Sequence, residues 1–176
     1  MKRFWLAARE TLEIVIVALI TVFIIRNFLI QPFLVNGASM EPNFNDGDYL
    51  LIDEITYRFR QPQRGEVVVF RYPNDRSVFF IKRIIGLPGE TVAIRDNAAY
   101  INNVELKEDY LPPIKTSGRT ELALGPDEYF VLGDNRVESF DSRSWGALPK
   151  KNIIGKAWLR YWPFSKLGFV KHYQYK

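Results

Sequence analysis

Hydrophobic positions along the chain fall into two regimes. Ile14–Ile25 (IVIVALITVFII) carries no charge, but as a helix it covers only about 18 Å of an apolar layer about 30 Å thick. Extension to Thr11 and Ile30 gives a helix of about 30 Å, long enough to span, at the cost of including Glu13, Arg26 and Asn27. Glu13 would sit near one interface, and Arg26, about a turn from the far end, could snorkel outward. Gln31-Pro32 then stops the helix, because proline disfavours helical geometry at the residue before it. Beyond Pro32 the pattern changes to period two and short β-branched runs. Asp48–Ile55, Glu66–Tyr72, Val78–Ile85, Thr91–Arg95, Tyr129–Leu132 and Ile153–Trp162 read as strands. Asp46-Gly47, Pro73-Asn74-Asp75, Leu87-Pro88-Gly89 and Asp96-Asn97 separate them as turns. Leu111–Thr120 (LPPIKTSGRT) reads as a loop.

The expected fold is therefore mainly β: antiparallel sheets forming a folded-over sheet or partial barrel, with one N-terminal transmembrane helix. The expected division is a tail over 1–10, a membrane anchor over 11–30 and a β-rich domain over 31–176. Lys2, Arg3 and Arg9 precede the apolar run. The positive-inside rule then keeps the N-terminus cytoplasmic and puts the β-rich part on the outer side of the cell membrane. Two other readings compete. A cleavable signal peptide has a similar charged start, but no A-x-A site follows the run. A buried core helix would suit its short uninterrupted length.

Composition narrows the chemistry. With 47% apolar and 25% charged residues among 176, the chain can bury a core. Cysteine is absent and His172 is the only histidine. Thiol nucleophiles, disulfides and multi-histidine metal sites are excluded, and a Ser-His-Asp triad could be built only around a terminal residue. The net charge of +4 comes without a long basic stripe, so nucleic acid is not an expected partner. No cofactor and no metal is called for.

Four segments carry candidate chemistry. Gly37-Ala38-Ser39-Met40-Glu41-Pro42 suits a tight turn with an exposed hydroxyl, although a loop serine is most often only that. Gly47–Asp53 (GDYLLID) reads as a turn entering a core strand. In Val78–Ile85, alternation places Lys82 on a face with Val78, Phe80 and Ile84. The bland reading is a solvated face. The functional one is a desolvated lysine whose pKa falls toward neutrality, so that its free amine can take a proton from a serine hydroxyl. Gly133–Arg143 (GDNRVESFDSR) follows a strand and, taken alone, is a solvated polar loop.

In this order, behind an apolar N-terminal segment, these pieces resemble the type I signal peptidases. The resemblance covers the anchor, GASMEP, GDYLLID, KRIIGLPGE and GDN…S-x-D-S-R. It implies Ser39 as nucleophile and Lys82 as general base, with Ser139 and Asp141 positioning the amine and Arg143 pairing with the buried aspartate. It also implies that the Ser39 N–H forms part of an oxyanion hole, that the β-rich domain over 31–176 is catalytic, and that the stretch at about 91–125 is a short form of the family's variable insert. Gly37 stands where some members place a serine whose hydroxyl completes that hole, so the second donor stays open. The implied substrates are preproteins bearing signal peptides, with small residues at the first and third positions before the cut, and the implied setting is a lipid bilayer. Alternatives are an organelle inner-membrane processing peptidase or a catalytically inactive membrane-anchored β-module. Self-cleaving repressors share the serine–lysine chemistry but would need a DNA-binding domain at the N-terminus.

Overall fold

The structure, a computed structural model, describes residues 2–28, 30–113 and 115–175, and within the first 30 residues the side chains of 3–5 and 9–22. Helix α1 runs Lys2–Phe28. It begins before the expected span and ends earlier, because Ile30–Leu34 forms strand β1. Pro32 is thus not a helix stop. It sits in a strand at the end of a sheet, where its missing N–H costs no ladder bond on the open side. Leu29 and the Arg26 side chain, both within the expected span, lie outside the described residues. Among the described residues, no helix is long and apolar enough to cross a membrane. Every described side chain from Arg9 to Val22 is exposed, and Arg9 pairs with Glu13 one turn on, at 2.8 Å.

The remainder is built mainly from antiparallel strands. These are β2 (Tyr49–Asp53), β3 (Val67–Tyr72), β4 (Asp75–Gly86), β5 (Thr91–Arg95), β6 (Ala98–Ile101) and β7 (Val104–Glu105). They continue with β8 (Thr120–Ala123), β9 (Glu128–Leu132), β10 (Leu148–Pro149), β11 (Ile153–Trp162) and β12 (Gly168–Phe169). Two short helices, α2 (Thr56–Phe59) and α3 (Ser142–Trp145), lie in connections. The large sheet has the order β1-β2-β11-β3-β4-β9-β10, with β12 on β11, and the small sheet the order β7-β6-β5-β8. Among the described residues no closed barrel forms: β1 and β10 end the large sheet without pairing to each other.

Strand β4 is longer than the expected Val78–Ile85, and its two halves differ. Residues 75–79 are exposed, whereas 81–86 are buried on both faces. One face of the large sheet packs Met40, Leu50, Ile52, Val69 and Ile81 together. The opposite face gathers Val68, Phe70, Ile84, Tyr129 and Val131. Ile85 and Phe130 join Val92, Ile94 and Ile101 of the small sheet in a third cluster. Gly86 allows this junction, since a Cβ there would lie 2.4 Å from Val92 Cγ2 and 2.9 Å from Phe130 Cβ.

Candidate active site

Ser39 lies in the turns that follow β1. Its neighbour Met40 is fully buried and pins the turn to the core. Two local bonds close it, Glu41 N–H to Ala38 O at 3.1 Å and Phe44 N–H to Met40 O at 2.9 Å. The GDN segment clamps it from the other side. Asn135 donates its backbone N–H to Ser39 O at 3.1 Å and its side-chain amide to Ala38 O at 3.2 Å. Gly133 makes the approach possible, because a Cβ there would sit 2.4 Å from Ser39 O and 2.2 Å from Ser139 Oγ.

Lys82 reaches this turn from β4. Its Nζ donates to Ser39 Oγ at 2.7 Å and to Ile81 O at 2.9 Å. The side chain is 3% exposed, and the Phe80 ring lies 5.4 Å from Nζ. A solvated face is therefore not its environment. Burial brings its pKa down from 10.5 to about 8, against the opposing pull of the Asp141 and Asp134 carboxylates.

Asp141 is fully buried. It takes a two-pronged ion pair from Arg143, Nε to Oδ1 and Nη2 to Oδ2 both at 2.8 Å, and accepts the Gly133 N–H at 3.1 Å. Arg143 also donates to Ser139 O at 3.3 Å and Ser117 O at 3.0 Å, binding the loop to the 111–119 segment. Ser139 Oγ is buried without a hydrogen-bond partner among the described residues. The structure thus joins Ser39 to Lys82 and Asp141 to Arg143 directly, while Ser139 touches the site through its packing on Gly133.

Three contributors escaped the sequence reading. Arg83 forms a buried two-pronged pair with Asp134 at 2.8 and 2.6 Å, donates to Gly65 O at 2.8 Å and stacks on Tyr110. Asp134 also accepts from the Asn43 amide at 2.9 Å, which ties the loop to the Ser39 segment. Asn135 completes the clamp. All three lie inside segments already singled out, Arg83 beside Lys82 and Asp134 and Asn135 in the GDN run, but no role was expected of them.

A groove of about 290 Å³ opens beside Ser39 and Lys82, lined among others by Phe33, Leu34, Ala38, Phe79 and Phe140. Strand β9 pairs with Arg83–Gly86 of β4, so among the described residues the 78–81 stretch presents a free strand edge on that side.

The family profile described as signal peptidase, peptidase S26, matches residues 8–162. The chain belongs to the signal peptidase family, peptidase S26. It is a serine endopeptidase by that membership. It is 38% identical over 174 residues, 94% of this chain and 77% of the other, to a probable signal peptidase I-2 of Synechocystis sp.. It is 39% identical over 154 residues, 82% of this chain and 74% of the other, to a signal peptidase I of Leptolyngbya laminosa. A crystal structure of a signal peptidase I from Enterococcus faecalis matches at 36% identity and a TM-score of 0.50, covering 55% of this chain and 97% of that one.

Proposed function

We propose that this signal-peptidase-family chain removes N-terminal signal peptides from exported preproteins, using Ser39 as nucleophile and Lys82 as general base. The observation that carries the reading is the 2.7 Å contact between a nearly buried amine and the Ser39 hydroxyl. An ordinary ammonium could not accept a proton; one whose pKa has fallen to about 8 is uncharged in a useful fraction near neutrality.

Ser39 Oγ attacks the scissile carbonyl carbon while its proton passes to Lys82 Nζ. The tetrahedral oxyanion forms beside the Ser39 N–H, a donor of a kind worth about 3 kcal/mol in acyl transfer. The Gly37 N–H is held by Asp46 Oδ1 at 2.7 Å, so the second donor stays open. Collapse breaks the C–N bond, and the Lys82 ammonium returns the proton to the leaving amine. Lys82 then takes a proton from water, which hydrolyses the Ser39 ester. Ser139 offers its unpaired hydroxyl to orient the amine. Asp141, locked by Arg143, fixes the loop on which Ser139 sits. An extended substrate would add backbone hydrogen bonds along the free edge of β4 and place alternate side chains in the groove.

The bilayer has its place in this reading through α1. Its described side chains from Arg9 to Val22 are exposed, and a run such as IVIVALITV has a strong reason to leave water. Tethering the chain to the bilayer, with the β-rich part outside, would raise the effective concentration of membrane-borne precursors.

The test is incubation of detergent-solubilised protein with a precursor carrying an A-x-A site, the cut being located by mass spectrometry. Cleavage after the A-x-A residues is expected from wild type. Ser39→Ala and Lys82→Ala should retain the circular dichroism spectrum and lose cleavage. Substantial turnover by Lys82→Ala would remove Lys82 as the base.

A further inference from the structure

A second polar cavity lies away from the Ser39 groove. It encloses about 250 Å³ and is lined by Asn43, Arg83, Arg160, Lys166, Phe169 and Lys171, among others. Four cations face two carboxylates. Asp134 neutralises Arg83 at 2.6 Å, and Asp48 faces Arg160 at 3.1 Å. Lys166 donates to a neutral amide oxygen, that of Asn45, at 2.6 Å. Among the described residues no carboxylate pairs with Lys166 or Lys171, whereas Arg160 also donates Nη2–H to Asn43 O at 2.6 Å. The cavity therefore has positive charge and donors to spare, the complement of a compact anion.

The rim points to the kind of anion. Arg160 lies on β11 between Trp158 and Trp162, both substantially exposed. Trp158 packs on Phe169 at 5.4 Å and Trp162 on Phe164 at 4.8 Å. Phe164, Leu167 and Phe169 are each more than half exposed. Register carries the apolar row onward, since Trp162 is opposite Tyr49 and Tyr49 opposite Leu34, which lines the Ser39 groove. Water-exposed tryptophan and phenylalanine beside unpaired lysines match a membrane interface, with apolar rings among acyl chains and cations among phosphates.

We infer that this cavity binds the phosphodiester headgroup of an anionic phospholipid, with Arg160, Lys166 and Lys171 on the phosphate and the Trp158–Phe169 rim against the acyl chains. This goes beyond the catalytic assignment and does not depend on it: the site would seat the β-rich part with its groove close to the bilayer even if Ser39 were inert. A free phosphate or an acidic peptide could use the same cations but gains nothing from the apolar rim.

The test uses the full chain in neutral detergent, titrated calorimetrically with dihexanoylphosphatidylglycerol, dihexanoylphosphatidylcholine, inorganic phosphate and tetraglutamate. The phosphatidylglycerol should bind at least tenfold more tightly than the other three. Lys166→Glu/Lys171→Glu should weaken it at least tenfold, with the milder Lys166→Gln/Lys171→Gln in between. Lys150→Glu/Lys151→Glu, which changes formal charge equally beside Pro149 and Asp127, should leave it within twofold. Equal weakening by both glutamate pairs would reduce the effect to diffuse attraction and overturn the site. Equal affinity for phosphatidylcholine, phosphate or tetraglutamate would overturn the headgroup assignment.

Discussion

If Lys82 is the proton acceptor, its titration must govern the acid limb of cleavage. With a pKa of about 8, roughly one amine in a hundred is free at pH 6, one in ten at pH 7 and half at pH 8. An amine at its ordinary value would be free about three times in ten thousand at pH 7, so burial supplies a gain of about 300-fold in competent enzyme. The perturbation is pH itself, and the assay is kcat/KM for a soluble peptide that lacks titratable groups in this range. The rate constant should climb about 50-fold between pH 6 and 8 and level off above about 9. Asp141→Asn supplies a directional check. That carboxylate is the foremost charge holding the amine's pKa up, so its removal should move the midpoint to lower pH even as absolute activity falls. A limb still rising with unit slope past pH 9.5, or an Asp141→Asn midpoint shifted upward, would refute the reasoning.

Three further outcomes follow from the same contacts. The folded pKa of Lys82 lies below the unfolded one, so the folded state binds fewer protons between about pH 8 and 10.5. The penalty is therefore complete below pH 8 and fades as pH rises through that window. Lys82→Met should accordingly raise stability at pH 7 by up to about 3 kcal/mol in urea unfolding, with the gain shrinking by pH 10; an unchanged or lowered midpoint at pH 7 contradicts the burial cost. Gly133→Ala puts a methyl 2.2 Å from Ser139 Oγ and 2.4 Å from Ser39 O, displacing the nucleophile on a scale that costs about 100-fold in kcat; wild-type kcat would show that the clamp is not needed. Asp134→Ala strands Arg83 in a site where it is 4% exposed, and should cost about 3–5 kcal/mol by urea titration; a loss below about 1 kcal/mol would mean that water reaches the guanidinium.

Much of the fold was legible because short β-branched and apolar runs bounded by turn formers mark strands even where both faces are buried. Thr91–Arg95 and Ile153–Trp162 carry the same limits in sequence and structure, and Tyr129–Leu132 differs by one residue. The strands that escaped are short, or lie at sheet edges. β7, β10 and β12 have two residues each, too few for any periodicity. β1 contains a proline, which reads as a break until an end-of-sheet position removes the need for its N–H. In β4 the alternation left open whether the face shared by Lys82, Val78, Phe80 and Ile84 is solvated, and residues 81–86 are buried on both faces, because a second sheet and a clamping loop cover what a lone sheet would expose.

The sequence by itself settled the inventory: no thiol, one terminal histidine, a lysine set in an apolar strand, and serine and aspartate segments in an order that resembles one peptidase family. Distance and burial were beyond it. Lys82 and Ser39 are 43 positions apart in the chain and meet at 2.7 Å only because β4 pairs with β3 on one side while the Gly133–Asn135 loop presses the serine turn inward. An amine's pKa depends on the water removed around it and the charges left nearby. Both are properties of packed neighbours drawn from distant segments, so they came into being with the tertiary structure alone.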